Sequence, residues 1–240
     1  MYRKVREDWN FLKNIDMFKQ SFIMTLASLS QESVSMTRDG FKAKLDTLGD
    51  ELSKNMVETL LHCVGEDDVV RYYRFSIDEY VFNYLAIPTT TVRGKFKDVP
   101  DDSVAVCNVE IHSGVRSNGE NGIVRVDAAI VIGLNDPVVT AKFLPHLVKH
   151  EIAHVLLEVI QFEHPDEFKL FRKDVGADTY KYFIEFLCDY IQFDYLVMNR
   201  FIPKPIPTFR EWMSEIKTKV AGAFYSRFLD AIEPLYVQGY

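Results

Sequence analysis

The run His150-Glu151-Ile152-Ala153-His154 places two imidazoles four residues apart with a carboxylate between them. On a helix, four residues advance about 6 Å and turn about 40°, so both rings leave the same face. Two ring nitrogens so placed can grip one divalent ion at about 2.0–2.1 Å each, the ordinary zinc–nitrogen distance. The carboxylate then projects beside the ion, where it can take a proton from an activated water. The flanking Leu147, Val148, Ile152, Val155, Leu156, Val159 and Ile160 are apolar and predict a buried helix. Histidine and glutamate are rarely buried unless they are paired or ligating. The bland alternative is a helix with two surface histidines and an incidental glutamate.

Two histidines do not make a zinc site. A catalytic site takes three protein ligands and keeps an open position. Four candidates for the third ligand follow or flank the pair. Glu185, in Glu185-Phe186-Leu187-Cys188-Asp189, shares a helix face with Asp189 and could close the site from a second helix. Asp189 could then accept the other ring N–H of a ligating histidine and fix its tautomer. The plainer view of this segment is a polar stripe on a helix whose core face is Phe183, Ile184, Phe186, Leu187 and Ile191. His164 is the rival ligand, but Val155 to Glu163 hold no Gly, Pro or Asn that would turn the chain back. A helix running on to Phe162 reaches about 12 Å beyond His154, which would make His164 a cap. Asp178 is a third candidate. His146, one turn before His150, is stacked away from the ion and reads as a neighbour of the site.

These motifs resemble those of the zincin metallopeptidases. The HExxH followed by Glu185-x-x-x-Asp189 is similar to the gluzincin pattern, whose second motif is ExxxD, often with Ala before the Asp. Cys188 stands at that place in this chain. The order of strands, HExxH helix and glutamate helix also resembles that scaffold, with Ile123 to Leu134 as a substrate-edge strand. His164-Pro165-Asp166-Glu167-Phe168 resembles the third-histidine phrase of SprT-type proteases, at a shorter spacing and without their downstream cysteine ribbon. ImmA/IrrE-like peptidases are a third relative. The resemblance covers residues 100–200. It implies Zn2+ held by His150, His154 and Glu185, with His164 as the alternative third ligand. It also implies Glu151 as general base and then acid toward the leaving amine, Asp189 as the orienting group, and a protein or peptide substrate. An oxyanion donor is usual in such sites, and Tyr180, Tyr182, Tyr190 and Tyr195 are available. Two other function classes stay open: a catalytically silent zincin-like binding or structural protein, and a metal-dependent hydrolase of a non-peptide bond. The intact Glu151 argues against the silent scaffold, which would need no base.

Several elements must position these groups. Residues 8–30 and 38–63 show helical periodicity, although Gly40 and Gly49 weaken the second. The segment 69–87 fits helix or strand. Thr89 to Phe96, Ser103 to His112 and Ile123 to Leu134 read as strands, with Gly114 to Gly122 as a glycine- and asparagine-rich turn. Helices are expected from Asp136-Pro137, with Pro145 kinking or restarting the run, then through the HExxH to Phe162. A short helix follows Pro165, a long aromatic one spans about 178–200, and one or two more cover 208–236. Helices, then strands, then helices indicate an α+β fold. The expected organisation is an N-terminal helical segment over 1–68 and a zincin-like domain with a small mixed sheet over 69–240.

The chain of 240 residues is long enough for a substantial core. Its net charge of -7 disfavours a protein built to hold a nucleic-acid backbone. Cys63, Cys107 and Cys188 form no CxxC pair, which excludes a zinc ribbon and a disulfide framework and suits a reducing, cytoplasmic setting. No signal peptide or membrane span is expected.

Overall fold

A computed structural model describes residues 18, 20–22, 24, 25, 38–60, 71–87, 105–133, 144–198, 210 and 225–230. They belong to two compact units, one of residues 38–162 and the other of residues 1–37 with 163–240. The boundary expected at residue 68, the strand expected over 89–96 and the helix start at Asp136 lie outside the described residues.

The first unit opens with α1 (Arg38–Leu60). Phe41, Leu45, Leu48 and Leu52 recur at spacings of four and three, and all are buried. That stripe carries the helix through Gly40 and Gly49. The ambiguous segment after it is a hairpin, β1 (Arg71–Ile77) and β2 (Tyr80–Ile87), joined by Asp78-Glu79. Asp78 takes φ 50°, the left-handed conformation that Asp tolerates better than most residues. Next come β3 (Ala105–Val115) and β4 (Asn121–Gly133). The four strands form one mixed sheet in the order β1-β2-β4-β3, with β2 and β4 parallel and the other pairs antiparallel. The connecting turn is only residues 116–120, shorter than the glycine-rich stretch suggests. It is closed by the Gly119 N–H donating to Arg116 O at 2.9 Å.

Strand alternation gives the sheet two unlike faces. Tyr80, Phe82, Tyr84, Val126, Ala128, Ile130 and Ile132 are buried on one side. The other side carries Asn83, Asn108, Glu110, His112, Arg125, Asp127 and Ala129, which line a shallow concavity of about 460 Å³. There Asp127 accepts from Arg125 at 2.7 Å and lies 3.0 Å from His112 Nε2. The Arg125 hydrogen bond holds the Asp127 carboxyl below its usual range. A half-solvated sheet ordinarily presents such a polar face. The expectation of a substrate-edge strand is corrected here for residues 126–132, where β4 lies between β2 and β3 and its backbone groups are spent on two ladders; residues 123–125 pair with β3 alone.

On the apolar face, α1 is tied to the sheet by the Tyr84 hydroxyl donating to Asn55 Oδ1 at 2.6 Å. Lys44 adds a 2.6 Å ion pair with Glu79 and sits over the Tyr80 ring. The unit is completed by α2 (Leu144–Glu163). Pro145 is the second residue of the described helix; whether it kinks or restarts a longer run depends on residues before Leu144, which lie outside the described residues. Val148, Ile152, Ala153, Val155 and Leu156 are fully buried.

In the second unit, α3 (Pro165–Val175) begins on its proline. Asp166 and Glu167 in its first turn, with Arg172 and Lys173 in its last, complement the helix dipole. Gly176 at φ 85° ends it. α4 (Ala177–Met198) follows at once. Its aromatic residues are core. The Phe183 and Phe186 rings pack against Phe228 at 5.3 and 5.5 Å, and Phe18 joins the cluster. The described elements are helices and one small mixed sheet, an α+β fold class. No described helix is long and apolar enough to cross a membrane.

Candidate metal centre

α2 delivers His150, Glu151 and His154 as local helical geometry requires. The two Nε2 atoms are 3.2 Å apart, and the rings meet edge to face with centroids 4.9 Å apart. Two nitrogens bound about 2.0–2.1 Å from one tetrahedral ion stand about 3.3 Å apart, so the pair fits zinc without rearrangement. A hydrogen bond between two neutral rings has a similar length, so the helix presets the spacing for either bond. Both imidazoles are half-buried, whereas Glu151 is 6% exposed. The bland picture of a surface helix does not hold, because the residues around the motif are core.

Burial pushes the Cys107 thiol well above its ordinary value, and the charges of Glu151 and Glu158 push it further. Cys107 therefore stays a neutral thiol, unsuited to be a nucleophile or ligand. His146 is buried one turn before His150 on the same helix.

In the second unit α4 sets Glu185 and Asp189 one turn apart on one face. Glu185 is half-buried, Asp189 is 2% exposed, and Cys188 between them is fully buried. The Tyr225 hydroxyl donates to Asp189. Burial, then the charges of Asp189 and Glu185, push the Tyr225 phenol far above its usual range and keep it a donor. Tyr225 is not among Tyr180, Tyr182, Tyr190 and Tyr195, the set that the α4 sequence offers. The stretch holding Pro203, Pro205 and Pro207 separates it from α4, and no spacing rule connects the two. Of the tyrosines in that set, Tyr180 packs edge-on to Phe171 at 5.9 Å and Tyr190 stacks on Phe186 at 5.7 Å. Tyr182 lies against the same cluster, and the Tyr195 side chain is outside those described.

His164 occupies the N-cap position of α3 and is buried, where a surface cap was expected. α2 runs unbroken to Glu163, about 13 Å along its axis from His154, so no turn brings the chain back before His164. Asp178 is exposed in the first turn of α4, where a carboxylate complements the dipole. The histidine pair thus stands in one unit, and Glu185, Asp189 and His164 in the other.

No family model, curated protein or solved structure matches the chain.

Replacing Tyr225 by Phe tests the buried bond to Asp189. A hydrogen bond to a charged group contributes about 1.5–3 kcal/mol. Chemical denaturation should show a loss of that order, and an unchanged midpoint would mean that the bond is not made.

Proposed function

We propose that the protein is a zinc-dependent metalloendopeptidase on a zincin-like scaffold, with His150, His154 and Glu185 as ligands and Glu151 as general base. The observation that carries this proposal is the 3.2 Å Nε2 spacing of His150 and His154 around Glu151 on a buried helix. Glu185 is preferred over His164 because it sits half-buried on a helix face shared with Asp189. His164 is separated from the pair by an uninterrupted helix.

A zinc ion held there would supply Lewis acidity, polarising a scissile carbonyl and making water a nucleophile near neutral pH. The residues do the rest. Glu151 accepts the proton of the attacking water and returns it to the leaving amine. His150 and His154 must present neutral Nε2 atoms, so each carries its proton on Nδ1. Asp189, held by Tyr225, is the proposed acceptor for one of those N–H groups. The net charge of -7 speaks for a protein or peptide substrate over a nucleic acid.

The test is zinc content after purification without added metal, joined to hydrolysis of an unbiased peptide library with and without a chelator. About one zinc per chain and chelator-sensitive cleavage are expected. Absence of zinc would sink the proposal. Zinc without cleavage would move the protein to the silent binding class. Cleavage confined to ester or amide probes outside peptides would make it a different metal hydrolase.

A further inference from the structure

Lys149, the residue before His150, has a side chain only 3% exposed. Its ammonium reaches Asp46 Oδ1 and Asp50 Oδ1 of α1, each at 2.9 Å. Both carboxylates are themselves exposed or half-exposed, so a buried stem carries the charge out to them. The stem runs across Gly49. A Cβ there would stand 2.6 Å from Lys149 Cγ and 2.9 Å from Cε. A glycine in mid-helix weakens α1, and this close approach accounts for it.

Burying a lysine against two exposed carboxylates adds little to folding stability, since such pairs are screened by water. An apolar chain in the same groove would serve the core at least as well. Direction is what the arrangement supplies. Successive helical residues are about 100° apart, so Lys149 and Glu151 leave α2 on opposite sides of His150. One flank of the histidine face is therefore held by α1, while Glu151 on the other flank is buried.

We infer that Lys149, threaded past Gly49 onto Asp46 and Asp50, is a positioning residue that sets the rotation of α2 and so the aim of both imidazoles. The inference rests on the metal site proposed above. A rotation of about 10° moves an atom about 6 Å from the helix axis by about 1 Å. A metal or catalytic constellation tolerates about 0.5 Å. Helix α1, which the sequence assigns to an N-terminal segment, is then a working part of the centre.

The experiment is a chelator-competition measurement of zinc affinity on the full chain, K149M, G49A, His154→Ala and Ile132→Val. Ile132 is a fully buried sheet residue, and its variant serves as the control for general loss of stability. K149M and G49A should each bind zinc about tenfold more weakly while keeping their helical circular dichroism. Ile132→Val should lower the melting temperature and leave zinc affinity alone. The clamp is wrong if K149M or G49A binds within about twofold of the unmodified chain while His154→Ala loses zinc. If His154→Ala binds as the unmodified chain does, the metal site itself is wrong and the clamp falls with it.

Discussion

Glu151→Gln should abolish hydrolysis while leaving zinc in place. Gln matches Glu in size and shape, so a side chain that is 6% exposed can be exchanged without opening a cavity. The His150 and His154 nitrogens stay on the same helix face, and the metal is retained. What disappears, on the proposed mechanism, is the group that receives the proton of water and hands it to the leaving amine. General acid–base catalysis of this kind contributes about 10²–10⁴-fold, so kcat/KM should fall by at least about a hundredfold. Elemental analysis must show an unchanged zinc content beside that fall. A variant that keeps both zinc and most of its activity would remove Glu151 from the mechanism.

The second large effect concerns the third ligand. Glu185→Ala should strip zinc affinity by more than about a hundredfold, because it removes a ligand where loss of an orienting group alone costs about 10–100-fold. His164→Ala should leave affinity near that of the unmodified chain. Glu185 is only half-buried, so its truncation costs α4 little, and circular dichroism should confirm an intact helix. His164 is buried beside the α3 N-terminus, so His164→Ala should cost stability instead. The reverse pattern, with metal lost in His164→Ala and kept in Glu185→Ala, would place the chain with the SprT-type arrangement.

The two outcomes are independent. The first asks whether the centre turns over, the second which residues hold it. A chain that loses zinc in Glu185→Ala but shows no dependence on Glu151 would be a metal-binding scaffold.

Much of this was legible in the residues. The helix of the HExxH, its apolar flanks and its continuation to the position before His164 follow from periodicity and from the absence of any turn residue between Val155 and Glu163. The facing of His150 and His154 follows from their spacing alone. The aromatic helix was also readable as core, since Phe183 and Phe186 recur at helical spacing and end fully or almost fully buried. The strands were harder. Gly114, Asn121 and Gly122 look like turn residues, yet they pair in the β3–β4 ladder. A ladder uses backbone groups, and glycine and asparagine have those too. Residues 71–87 carry aromatic residues that suit either state. Their parallel partner β4 starts far along the chain, and that long-range pairing decided for a hairpin.

What is local could be read from the residues: an α+β order of elements, a helix that aligns two imidazoles with a carboxylate between them, and a glutamate one turn from an aspartate on a later helix. The helical features depend on contacts three or four residues apart, which a helix dictates from its own geometry. The place of β4 inside the sheet, the Tyr225 bond to Asp189 and the burial of Lys149 through a glycine gap onto α1 came only with the folded chain. Each of these joins residues far apart in the chain. Which distant groups meet is set by how elements pack, and no periodicity along the chain records it.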